Sequence, residues 1–159
     1  LTFSADNYHD QQMAIRTNDA NSAKAIINQH KTRIAQIKED AATEHRKISE
    51  NTKQKKNLAR KIKNTKQRNT NLKLIDQEAA KQHSAINARK KTLQDDSAKL
   101  KKSQLEASRA RYTSQLDKLE KERQKTINKT KKRNSKAAAK PQPTGTPRRA
   151  FSTPIIAKS

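Results

Sequence analysis

Residues 27–62 read INQHKTRIAQIKEDAATEHRKISENTKQKKNLARKI, thirty-six positions without a glycine, a proline, a valine or a Phe, Tyr or Trp ring. The isoleucines recur at helical spacing and no apolar/polar alternation is sustained, so this stretch reads as helix and not as strand. Counted in sevens from Ile27, the a positions are Ile27, Ile34, Ala41, Ile48, Lys55 and Ile62. The matching d positions begin polar or mixed, as His30, Ile37, Glu44 and Asn51. They then continue as Leu58, Thr65, Leu72, Ala79, Ile86, Leu93, Leu100 and Ala107. From Asn69 onward the a positions are polar, so the apolar line passes from a to d and is one residue wide at most levels. A sustained seven-residue repeat predicts left-handed packing on another helix, and so narrow a seam predicts that the packing is weak. A self-dimer or one large neighbour would serve equally well as the partner.

Working outward, the frame shifts after Leu100, where Leu105, Tyr112, Leu116 and Leu119 form a new stripe. Just upstream, Asp95-Asp96-Ser97 has the chemistry of a helix N-cap, which predicts a hinge or break near residues 95–104. Asn51-Thr-Lys-Gln recurs as Asn64-Thr-Lys-Gln, thirteen residues on. Two copies make no solenoid, and compositional bias accounts for them. Residues 1–140 hold no Gly or Pro, whereas Pro141, Pro143, Gly145, Pro147 and Pro154 crowd the last nineteen positions. The expected fold is therefore all-α: long extended or folded-back helices with a partial heptad seam, then an irregular Pro-containing C-terminal tail. Four segments follow: a near-neutral helical segment 1–26, a long heptad helix 27–100, a second helical segment 101–140, and an extended basic tail 141–159.

The expected packing residues are Ile27, Ile34, Ile37, Ile48, Leu58, Ile62, Leu72, Ile86, Leu93, Leu100, Leu105, Tyr112, Leu116 and Leu119. Only 30% of the 159 residues are hydrophobic and 3% aromatic, too little apolar mass for a sizeable core of their own. Order is expected to come largely from partners. A formal charge of +23 points those partners toward polyanions or acidic surfaces. Two acid-free blocks carry 18 of those charges, residues 51–75 with nine cations and residues 126–159 with nine more.

The first block comprises Lys53, Lys55, Lys56, Arg60, Lys61, Lys63, Lys66, Arg68 and Lys73. In the second, Lys129, Lys131, Lys132, Arg133, Lys136 and Lys140 lead into a tail with Arg148 and Arg149. Both are expected to contact nucleic-acid phosphates without reading bases, because no zinc-finger, basic-zipper or homeodomain pattern frames them. The competing reading is a set of solvated lysine-rich helices. Phe151, Ile155 and Ile156 are candidate anchors for the tail in a pocket of a neighbour.

Catalytic signatures are missing. His9, His30, His45 and His83 show no HExxH or second ligand at helical spacing, so no metal is expected. A single Gly rules out Gly-rich phosphate loops and the nucleophile elbow. The chain is expected to be no enzyme and to need no cofactor. No window approaches eighteen apolar residues, so no stable membrane span is expected.

In texture the chain resembles the internal virion proteins of short-tailed bacteriophages, which line the portal and leave ahead of the genome. The residues behind this are the opening NYHDQQMAIRTNDANSAKA (7–25), the long Ala/Gln/Lys-rich helices and the ending FSTPIIAKS (151–159). The charge is more basic than that pattern, and the opening lacks a membrane-active apolar stretch. The resemblance implies a structural role beside packaged nucleic acid and other assembly proteins, inside a virion or another nucleoprotein particle, otherwise intracellular. Two further readings are a coiled-coil scaffold or adaptor meeting acidic protein surfaces, and a ribosome-associated basic protein.

Overall fold

The structure is a computed structural model that describes residues 5–139, with side chains described over 7–136. The 141–159 segment, Lys140, Arg148, Arg149, Phe151, Ile155 and Ile156 lie outside the described residues. Two helices make up nearly all of the rest: α1, Ala5–Ala59, and α2, Thr65–Ala139, with no strand among the described residues.

The chain breaks at residues 60–64, in the middle of the first basic block. The last turn of α1 tightens, with Lys61 N donating to Leu58 O at 3.1 Å and Ile62 N to Ala59 O at 3.1 Å. The next helix starts at Asn64, whose side-chain Oδ1 accepts the Gln67 backbone N–H at 3.0 Å, as an N-cap does. Arg68 Nη1 donates to the Ile62 carbonyl at 3.4 Å and ties the turn to α2. The second Asn-Thr-Lys-Gln is thus a start signal, whereas the first lies inside α1. Replacing Asn64 by Ala should cost about 1 kcal/mol. The expected readout is a lower urea midpoint for loss of helical circular dichroism, with Asn51→Ala as the control that leaves it in place.

The expected break near 95–104 is corrected: α2 runs through it without interruption. Ser97 caps nothing. It is 5% exposed, and its hydroxyl is taken up by the facing helix. Asp95 pairs with Lys91 at 3.9 Å, one turn back on the same helix.

The described chain forms two compact units. In the larger, Arg16–Tyr112, α1 folds back antiparallel on α2 through the five-residue turn. Contacts descend along α2 as they ascend along α1: Asp19 meets Arg109, Ser22 meets Ser108, His30 and Arg33 meet Ser97, His45 meets His83, and Lys56 meets Asp76. In the other unit, the start of α1 packs on α2 beyond residue 113, where Tyr8 meets Glu120.

The inward stripe repeats every eleven residues, not every seven. On α1 it carries Ile15, Ile26, Ile37, Ile48 and Ala59, and on α2 Ile75, Ile86, Ser97, Ser108 and Leu119, all buried or half-buried. At 3.6 residues per turn a heptad line drifts about 20° per repeat, and an 11-residue line drifts the opposite way, toward right-handed wrapping. The heptad line on α2 shows the drift directly. Leu72 is half-buried and Ala79 and Ile86 are buried, but Leu93 is 50% exposed and Leu100 44%.

Ile27, at 39% exposure, and Leu58, at 66%, also lie outside the seam between the two helices. Ile34, Ile37, Ile48, Ile62, Leu72, Leu105, Tyr112 and Leu116 are half-buried, and Ile86 and Leu119 are buried. The frame shift at Leu105 is what an eleven-residue period looks like when counted in sevens. Alanines and serines dominate the buried positions, and among the described residues no large side chain is fully enclosed.

Candidate nucleic-acid interface

The fold gathers the first basic block at one place. Lys53, Lys55 and Lys56 end α1, Arg60, Lys61 and Lys63 form the turn, and Lys66, Arg68 and Lys73 open α2. Seven of the nine are exposed, and Lys56 and Arg68 are half-buried. Lys56 meets Asp76 at 2.5 Å, and among the described residues it alone of the nine is in an ion pair. Surface pairs of this kind contribute about 0–1 kcal/mol, so the positive field around the turn is barely offset. Leu58 and Leu74 stand 66% and 56% exposed beside it, over a groove of about 390 Å³ lined by Lys55, Ile62, Asn71 and Ile75.

The second block belongs to the other unit. Lys129, Lys131, Lys132, Arg133 and Lys136 are all exposed along the last turns of α2. Before them lies a fixed anion. Glu120 accepts from Tyr8 Oη at 3.0 Å, from Arg123 Nε and Nη2 at 3.1 and 3.0 Å, and from Gln124 Nε2 at 3.2 Å. The Arg123 guanidinium also lies over the Tyr8 ring, 4.9 Å from its centroid.

Arg123 first, then Gln124 and Tyr8, hold the Glu120 carboxyl down from its usual 4.5 to about 2. The partner shifts the other way, Glu120 raising Arg123 further. A depressed carboxyl stabilises the fold above its unfolded value, and the contribution disappears as pH falls from about 4.5 through about 2. A carboxyl NMR titration of Glu120 should show a midpoint near the lower figure with the Tyr8 ring signals moving in step, whereas an unshifted midpoint would remove the cluster.

Between the helices the larger unit is polar. Ser97 Oγ accepts from Arg33 Nε at 2.9 Å and is hydrogen-bonded to His30 Nδ1 at 2.9 Å. Ser108 Oγ donates to Ser22 Oγ at 3.1 Å. His45 and His83 stack with centroids 4.8 Å apart and their Nδ1 atoms 2.5 Å from one another. His45 Nε2 lies 3.0 Å from Asn87 Oδ1, so both ring nitrogens of His45 face a polar atom of α2. Glu44 and Arg89 pair across the same face.

Sequence spacing could not find the His45–His83 contact, because the two rings are thirty-eight residues apart and meet only once the chain folds back. Among the described residues no group of three or more His, Asp or Glu side chains is arranged to hold a metal ion. Likewise no described helix is long and apolar enough to cross a membrane.

Comparison with protein-family models, with curated proteins and with solved structures finds no match.

Proposed function

We propose that the chain is a non-enzymatic structural component of a large nucleoprotein assembly, with a phage virion as the setting its textural resemblance suggests. The hairpin packs within itself through a narrow, largely polar seam and touches nucleic-acid phosphates without regard to base sequence. One observation carries this reading: nine cations and no carboxylate in residues 51–75 are folded back to surround a single turn, nearly all of them solvent-facing. The exposed cations at 129–136 would add a second, independent patch of the same chemistry. Counterion release supplies the free energy of such contacts, and no preformed base-reading surface is needed.

A second reading is a scaffold or adaptor for acidic protein surfaces. It draws support from exposed Leu58 and Leu74 beside Lys55, since phosphate backbones have no use for leucines. The two separate by titration against random-sequence duplexes at several salt concentrations. Steeply salt-dependent, sequence-indifferent binding supports the first, and a flat response with weak affinity overturns it.

A further inference from the structure

We infer that the groove between α1 and α2 just above the turn is a discrete phosphate-binding site, rather than one stretch of a uniformly basic surface. This rests on the reading that the turn contacts phosphates, and narrows it to particular side chains. The groove has a volume of about 340 Å³ and lies within the larger unit. Lys53 and Lys56 line it from the end of α1 and Arg60 from the start of the turn, three and four residues apart, so that their charges face the same groove.

Ser49 adds a hydroxyl from α1, while the floor on α2 is Ala79, whose small side chain leaves the space open. The far wall is the His83 ring, held in place by its Nδ1 contact to His45. Ammonium and guanidinium donors converging with a hydroxyl on a concave surface fit a tetrahedral oxyanion.

Donor availability agrees. The side chains of Lys53 and Ser49 make no hydrogen bond or ion pair among the described residues, and Arg60 spends one N–H on Asn57 Oδ1 at 3.0 Å. Lys56 is held at the rim by Asp76 at 2.5 Å, a surface carboxylate that a phosphate would displace or share. Adjacent grooves gather fewer free cations. One sets Lys47 beside Glu44 and Arg89, which pair with each other, and the other has Lys55 alone among leucines and isoleucines.

A phosphate could arrive as a backbone phosphodiester or as a small phosphate compound, and two probes distinguish them. Pyrophosphate, followed by NMR, should perturb His83 and Ser49 in the wild type and leave them still in K53A/R60A. Duplex affinity should fall roughly tenfold in K53A/R60A, the scale of lost charge-assisted hydrogen bonds, but clearly less in K63A/K66A, which removes the same charge outside the groove. Equal losses in both variants with no pyrophosphate response would overturn the site while leaving diffuse phosphate contact intact. A pyrophosphate response with no duplex affinity would keep the site and reassign it to small phosphate compounds. Silence in both arms overturns the site and the nucleic-acid reading together. All four substituted side chains are solvent-facing, so circular dichroism should show unchanged helix.

Discussion

Ile86→Ser is expected to lower the unfolding free energy by about 2–4 kcal/mol, whereas Leu93→Ser and Leu100→Ser should each cost less than about 1 kcal/mol. All three are apolar positions of one heptad line, so a heptad coiled coil predicts similar losses. The structure separates them because Ile86 is 5% exposed and on the eleven-residue stripe, while Leu93 and Leu100 have rotated to 50% and 44% exposure. The loss at Ile86 is a substantial part of what so small an apolar seam can supply. Equilibrium urea unfolding followed by helical circular dichroism checks it, with Ile37→Ser on α1 as the second inward position. Equal effects at Ile86 and Leu93 would restore the seven-residue seam and remove the hairpin packing described above.

Raising salt from 50 to 200 mM should weaken duplex binding by about 10³–10⁵ if six to ten phosphates are neutralised. The slope of log affinity against log salt should approach −0.9 per contact and should not change with base sequence. Charge supply is adequate for that number, since the block around the turn carries nine cations, eight of them outside any ion pair among the described residues. Removing Lys53 and Arg60 together should reduce the slope and weaken binding uniformly across sequences. A slope indistinguishable from zero would leave the acidic-surface reading in possession of the same cations. Preference for one duplex over another would point to base contacts that the exposed lysines, as point charges on flexible stems, are poorly built to make.

Much of the architecture is legible in composition. No Gly or Pro through residue 140 and no valine anywhere leave helix as the available secondary structure, and the described residues form two long helices. The turn was hidden for the same reason: with neither Gly nor Pro to mark it, the stop depends on Asn64 capping Gln67, a signal that looked like a repeat of Asn51 to Gln54. The eleven-residue period was present in plain view as Ile15, Ile26, Ile37 and Ile48, but a seven-residue count also catches isoleucines at 27, 34, 48 and 62. Two periods that differ by some 40° of drift per repeat stay indistinguishable over the few turns in which both lines remain on one face.

Amino-acid order alone settles that the chain is helical, strongly cationic and short of apolar surface, because propensity, charge and composition are sums over residues and need no geometry. Folding back decides which residues become neighbours. It sets His45 against His83, fits Ser97 between His30 and Arg33, and turns a run of lysines into a grooved, two-sided surface about one turn. These are contacts between residues 38 to 67 positions apart in the chain or more, and their register is chosen by where the helix is stopped and which stripe can be buried.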